Sequence, residues 1–366
     1  MKKHILTAAC LATMLAFVAT ACHEVIFYEI RQEVKLADAQ VSGDINSIVR
    51  FGMDGKEYLF VQSGNIYCKE LNRNAETGKP EPTMSEPYEG QWKKADKGII
   101  GTGNVIRLAA DETYLYALAV RIEEDEDEGE NYPAEQTLYC STDGNEWKKI
   151  DLTLPPKGPN TLFCTNSPNP AHRKAFLNVN KTVYELNGET AAKRDDISDD
   201  PKSCVWFNGD VTFSASGAAT TNETADTDPT LWYEGIGKDI FTYSTSDRKN
   251  PDHKKEIGYA IHSLACTKDF LLAGTDDGLL YFGLDNGLPT GTTDSETNVS
   301  STLSSYYEVH NVLAVDPSRP SKKGDPKGGD IYGTTVFDGT SSNTGASADN
   351  QGLWAYYPGR GHWNRE

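Results

Sequence analysis

An aliphatic residue followed by Tyr or Trp recurs along this chain as Ile66-Tyr67, Leu138-Tyr139, Val183-Tyr184, Leu231-Trp232, Leu280-Tyr281 and Leu353-Trp354. Successive aromatic members lie 72, 45, 48, 49 and 73 residues apart. Self-similarity at roughly 40–50 residues, with strands as the repeated piece, restricts the fold to a ring of small sheets, the β-propeller. One copy is written in full. Residues 137–150 alternate apolar and polar, break at Asp143-Gly144 and resume with Trp147, which is the pattern of a β-hairpin. The 366 residues hold six units of roughly 50, and 32 glycines supply the tight turns that many short strands need.

Divided by strands, the units begin at residues 45, 105, 161, 203, 260 and 311, and each offers four short strands. Gln91-Trp92-Lys93-Lys94 and Glu146-Trp147-Lys148-Lys149 mark the fourth strand of the first two. In the fourth unit the strands are read at 203–207, 211–215, 230–234 and 239–245. The expectation is an all-β, six-bladed propeller of four-stranded antiparallel blades over residues 44–366, with seven blades as the alternative count. Facing sheets would cover both faces of each blade, and ring closure would remove most open edges. The six aromatic residues of the repeated pair then occupy equivalent points and read as packing between blades.

Lys2, Lys3 and His4 precede an apolar run over residues 5–18 and then Ala19-Thr20-Ala21-Cys22. A basic start, a short apolar stretch and small residues at its end read as a signal peptide over residues 1–21. The run is too short for a stable transmembrane anchor. The formal charge is −19, and losing the leader removes Lys2 and Lys3 and no acid, leaving −21. That charge repels nucleic acid, which is excluded as a partner, and otherwise serves solubility.

Of the seven cysteines, Cys10 leaves with the leader. Cys68, Cys140, Cys164, Cys204 and Cys266 are scattered over strands, two of them where other units carry Ala or Val. They read as small buried hydrophobes and not as a disulfide framework or zinc ligands.

Cys22 directly after small residues resembles the lipobox of bacterial lipoproteins, in which the Cys is acylated and becomes the mature N-terminus. The resemblance implies attachment to the cell envelope at the outer membrane, with residues 22–43 as a tether or docking strand. Ala19 stands where the lipobox favours Leu, so ordinary secretion is the alternative. Ser141-Thr142-Asp143-Gly144-Asn145-Glu146-Trp147 resembles the Asp-box, or BNR repeat, of sialidase-type propellers. Its four characteristic positions are Ser141, Asp143, Gly144 and Trp147. Asp holds its own turn, Gly reaches positive φ and Trp plugs between blades. In that superfamily the motif is a folding element remote from the catalytic centre, so it implies a fold and not an activity. Leader, Cys22 and BNR-like ring together resemble the lipoprotein propellers of Bacteroidales-type bacteria.

Sialidases bind a carboxylate with three arginines and use a Tyr nucleophile with a Glu partner and an acid/base Asp. Arg50, Arg107, Arg121, Arg173 and Arg319 are present here, but no Arg-Ile-Pro stands near the first strand. His172, His253, His262, His310 and His362 are dispersed, and no pair has metal-ligand spacing. In the acidic run 123–130, Glu124, Glu126 and Glu128, with Gly129 and the later Glu135, echo a calcium loop. Pro133 and flanking strands argue instead for a solvated acidic loop, so neither a metal nor a cofactor is assigned. Long connections at 121–136, 216–229 and 338–351 read as joining second to third strands on one rim. They would bring Tyr132, Asp226, Asp228, Asn343 and Asn350 to one binding face. The expected function is a non-catalytic, monomeric envelope lipoprotein whose propeller face binds a glycan or a partner protein. The alternatives are a sialidase-like glycoside-acting enzyme and a scaffold of an outer-membrane complex.

Overall fold

Residues 115–120 read Leu-Tyr-Ala-Leu-Ala-Val, a run that suits a strand only if both of its faces are covered. Both are covered. In the computed structural model Leu115, Ala117 and Ala119 pack towards the preceding sheet, and Tyr116 and Leu118 towards the following one. The structure describes residues 41, 43, 45–71, 92–97, 99, 104–124, 131–152, 154, 160–164, 170–180, 182–194, 203–207, 210–214, 217–221, 231–244, 251–266, 270–291, 308–314, 331–336, 351–356 and 363–365. For 124, 131–133, 172, 203–221, 232, 244, 331–336, 356 and 363–365 it describes backbone alone.

Every sheet is antiparallel and built from consecutive strands. The first comprises β1 (Ile48–Met53), β2 (Lys56–Ser63), β3 (Asn65–Glu70) and β4 (Lys93–Lys94). The second comprises β5 (Asn104–Ala110), β6 (Leu115–Glu124), β7 (Asn131–Ser141) and β8 (Lys148–Lys149). The third comprises β9 (Thr161–Cys164), β10 (Ala175–Val179), β11 (Thr182–Asn187) and β12 (Thr190–Lys193). A two-stranded sheet follows, β13 (Ser203–Phe207) with β14 (Asp210–Ser214). The fifth comprises β15 (Gly217–Thr221), β16 (Leu231–Ile236), β17 (Asp239–Ser244) and β18 (His253–Glu256). The sixth comprises β19 (Ile261–Cys266), β20 (Phe270–Thr275), β21 (Gly278–Asp285) and β22 (Leu288–Thr290). The seventh comprises β23 (Glu308–Ala314), β24 (Ile331–Val336), β25 (Gly352–Tyr356) and β26 (Trp363–Arg365).

The first strands lie side by side in the order β1, β5, β9, β13, β15, β19, β23, and β23 returns to β1. A closed round of first strands with later strands stepping outward is a β-propeller. Its core is accordingly not one mass but a series of layers between sheets. Val49, Phe51 and Phe60 meet Leu108, Tyr139 and Trp147 between the first and second sheets. Leu138 and Ile150 meet Leu162 and Leu177 between the second and third. Tyr233 and Ile240 meet Leu264 and Leu271 between the fifth and sixth. Ile48, Leu59 and Val61 meet Leu313, Leu353 and Ala355 where the ring closes. Of the repeated aromatics, Tyr139 and Trp354 are buried, and Tyr67 packs against the closing layer.

Polar ties cross the same boundaries. The Asp111 carboxylate accepts the Thr113 and Tyr114 N–H groups and the Tyr116 hydroxyl, and that hydroxyl oxygen accepts Gly188 N–H from the third sheet at 2.7 Å. Between β1 and β2, Asp54 and Gly55 take φ of 52° and 71°, the pair of left-handed residues a two-residue hairpin turn needs.

Among the described residues seven sheets stand round the ring, six of four strands and one of two, which is the alternative count of seven and not six, and the fourth repeat is partitioned differently from the sequence reading. Residues 203–214 form a hairpin of their own, while 231–244 supply the second and third strands of the next sheet. Its first strand, β15, occupies 217–221, within a stretch read as a loop. Small residues there leave no apolar alternation to read, and pairing with β16 makes the strand. The acidic connection at 121–136 is likewise mostly ladder, since β6 runs to Glu124 and β7 starts at Asn131. Among the described residues no helix is long and apolar enough to cross a membrane.

Candidate functional site

Three first strands share an irregularity. The pairing register slips between Val105 and Arg107 in β5, Ile261 and Ser263 in β19, and Val309 and Asn311 in β23. Ile106, His262 and His310 are therefore the extra residues of bulges, which bend a strand and re-aim a side chain. At this level a cavity of about 330 Å³ is lined by five first strands or the residues just before them. Its polar lining comes from Asn46, Ser47, Arg107, Thr161, His262, His310 and Asn311, and Phe163 adds an aromatic face. The cavity sits where first strands begin and second strands end, since Ile48 pairs with Val61, Asn104 with Val120 and Glu308 with Val336. Second-to-third connections leave the sheets at that same end.

The segment leading into β1 is pinned from both sides. Arg107 Nη1 donates to the Asn46 carbonyl at 2.5 Å, and the Leu108 N–H freed by the bulge donates to Ser47 Oγ at 3.0 Å. Ser47 N–H donates to Gln62 Oε1, and Asn311 Nδ2 to the Ile45 carbonyl. Burial holds Arg107 below the usual guanidinium range. Opposite charge and lone pairs gather at β19 and β23. His310 Nε2 lies 2.6 Å from Glu308 Oε2, His262 Nε2 lies 3.8 Å from the same oxygen, and the two rings are 4.6 Å apart. Burial first, then His310, pushes His262 below the usual imidazole range, against the pull of Glu308 and Asp276. The three ligating atoms lie within 4.8 Å of one another, a separation that one cation can bridge.

No family model matches the chain, and no curated protein matches it either. Solved structures similar to it include that of the computationally designed Ika8 protein, at 12% identity and TM-score 0.34, covering 88% of this chain and 74% of that one. Another is Saccharomyces cerevisiae Sqt1, at 12% identity and TM-score 0.36, covering 86% of this chain and 83% of the other. The propeller assignment rests on strand order.

The Asp-box turn lies away from the cavity, beyond the far end of β7. Asp143 Oδ1 accepts the Asn145 and Glu146 N–H groups at 2.9 and 2.8 Å and the Ser141 hydroxyl at 2.9 Å. Burial alone would raise the Asp143 carboxyl, but those hydrogen bonds outweigh it and hold it below the usual range. Gly144 takes φ of 64°, and a Cβ there would stand 2.5 Å from Phe60 Cζ. Trp147 is buried against the first sheet and donates Nε1–H to the Ala95 carbonyl at 3.0 Å.

The other sequence-derived candidates do not gather into one site. Tyr132 is a strand residue of β7 opposite Glu123, not part of a loop. Glu124 and Glu135 sit on different rungs of that ladder, opposite Asn131 and Arg121, and so do not form one calcium loop. Glu135 is exposed and lies 3.6 Å from Arg121 and 3.5 Å from Lys149. Glu126 and Glu128 lie outside the described residues, as do Cys22, Asp226, Asp228, Asn343 and Asn350. In sequence Asp226 and Asp228 fall between β15 and β16, first and second strands of their sheet, not between a second and a third. In sequence Asn343 and Asn350 fall between β24 and β25. Arg50 donates to the Ala314 carbonyl, Arg173 pairs with Glu57, Arg121 pairs with Glu123, and Arg319 is outside the described residues. Of the four described among these arginines, Arg107 is the one that lines the cavity.

His262 and His310 were separable from the other histidines by one signal. They stand 48 residues apart, one repeat length, each just after a β-branched residue, Ile261 and Val309.

Proposed function

We propose that this protein is a non-catalytic envelope lipoprotein, anchored through Cys22, whose propeller binds a hydroxylated ligand such as a glycan chain in the axial cavity. The cavity's lining supports this reading. Arg107, Asn46, Ser47, Thr161 and Asn311 offer donors and acceptors around a space of about 330 Å³. Phe163 provides a flat apolar face of the kind sugar rings stack on. Pockets of this size with few convergent polar groups are where small ligands bind.

The test is a glycan array probed with the mature chain and with two variants. Thr161→Tyr fills the cavity and should abolish retention. Arg107→Gln should weaken binding by roughly tenfold or more, the worth of one hydrogen bond to a charged group. Signals that both variants leave unchanged would remove the cavity from the account. Release of free sugar from a bound glycan would overturn the non-catalytic part and favour the glycosidase alternative.

A further inference from the structure

We infer that His262, Glu308 and His310 form a binding site for a divalent transition metal of the zinc class, with its open coordination position facing the axial cavity. Two imidazole nitrogens and one carboxylate oxygen are a ligand set that such ions take, with a solvent or ligand atom completing a tetrahedron. Ligands at ~2.0–2.2 Å from a tetrahedral ion stand roughly 3.3–3.6 Å from one another. The observed distances of 2.6 Å from Glu308 Oε2 to His310 Nε2 and 3.8 Å to His262 Nε2 bracket that range. All three atoms lie within 4.8 Å of one another. A hard cation such as calcium is a poor fit, because it requires six or more oxygens.

An ordinary hydrogen bond explains less. It accounts for His310 beside Glu308 on β23, but not for the second imidazole brought from β19 in the neighbouring sheet. Nor does the bulge itself demand histidine. The equivalent extra residue in β5 is Ile106, which shows that an aliphatic side chain serves the same backbone geometry. Histidine at two of three such positions, in adjacent sheets, puts both rings beside one carboxylate and on the wall of the cavity. The fourth position then faces space large enough for water or an oxygen atom of a ligand. This site does not depend on the glycan reading, since metal alone tests it.

The metal-stripped mature chain should take up one equivalent of Zn²⁺ in competition with a chromophoric chelator. Co²⁺ should give the visible bands of a tetrahedral N/O site. His262→Ile, His310→Ile and Glu308→Gln should each weaken Zn²⁺ by ~100-fold or more, at least the effect of disturbing a ligand's supporting partner. The isoleucine variants copy the side chain that β5 already uses, so the bulges keep their filling. His253→Ala, in the outer strand β18, should bind like wild type. Zn²⁺ should raise the melting temperature of wild type and of His253→Ala, but not of the three ligand variants. Wild-type protein that takes up no Zn²⁺ overturns the site, and so does uptake undiminished in the His262→Ile/His310→Ile double variant. Displacement of Zn²⁺ by equimolar Ca²⁺ would also overturn it.

Discussion

Replacing Trp147 by Ala tests the packing between the first two blades. The side chain is 7% exposed and sits among Phe51, Phe60, Ile66, Ala95 and Tyr139. Emptying a buried Trp site costs ~3–5 kcal/mol. The substitution also removes the donor to the Ala95 carbonyl, whose residue is 4% exposed, and a lost hydrogen bond of this kind is worth ~1 kcal/mol. The sum approaches the whole margin of a weakly stable protein, ~5–15 kcal/mol. Trp147→Phe separates the two effects, because it keeps most of the apolar filling and loses only the N–H and part of the ring. It should cost about 1–2 kcal/mol. Urea unfolding followed by far-UV circular dichroism reads both variants as shifts in midpoint at unchanged slope. If the alanine variant unfolds at the wild-type midpoint, Trp147 carries no packing energy at that boundary. If the Phe variant is as damaged as the Ala variant, the hydrogen bond and not the packing dominates.

Arg173→Met should cost ~3–5 kcal/mol, because it removes the guanidinium that stands 2.9 Å from the buried Glu57 carboxylate. Adding Glu57→Gln should recover most of that loss in a double-mutant cycle, and a simple additive result would refute the pairing. Gly144→Ala should lose ~1–3 kcal/mol from the forced left-handed backbone, with the contact to Phe60 adding to it. Asp143 is held below the usual carboxyl range when folded, so its contribution is present above the unfolded carboxyl value and is lost as pH falls through the folded one. The stability gap between wild type and Asp143→Asn should therefore narrow in acid, and a gap constant from neutral to acid pH would contradict this. Cys22→Ser should move the protein from the membrane fraction to the soluble fraction, and unchanged membrane association would remove the lipid anchor.

Blades were legible in the sequence wherever packing repeats. Tyr139 and Trp354 announce themselves because the aromatic member of the repeated pair is buried in both. The turn at Asp143-Gly144 announces itself because its backbone admits few residue types. Residues 217–221, Gly-Ala-Ala-Thr-Thr, gave no such signal. Small side chains carry no period, and the strand exists because β16 offers it a ladder. The acidic end of the β6–β7 hairpin misled in the opposite sense. Charged side chains suggested an open loop, yet backbone pairing continues outward to Glu124 and Asn131 regardless of what the side chains carry. The histidine pair was hidden because ligand spacing is normally sought within a few residues, whereas here one blade repeat and a bulge bring the two rings together.

The way the ring closes bears on how the chain can be made and cut. Each sheet is drawn from one continuous segment, so every blade can form from neighbours in sequence. Among the described residues the seam joins the parts farthest apart in sequence: Arg50 reaches the Ala314 carbonyl and Asn311 reaches the Ile45 carbonyl, across 264 and 266 residues. The entropy of bringing the ends together grows only logarithmically with length, and here it is met by one apolar layer and a few polar ties. New termini opened between two blades, with the old ones joined, would divide no sheet. A permuted chain would keep every ladder intact and would turn today's seam into an ordinary boundary between consecutive blades.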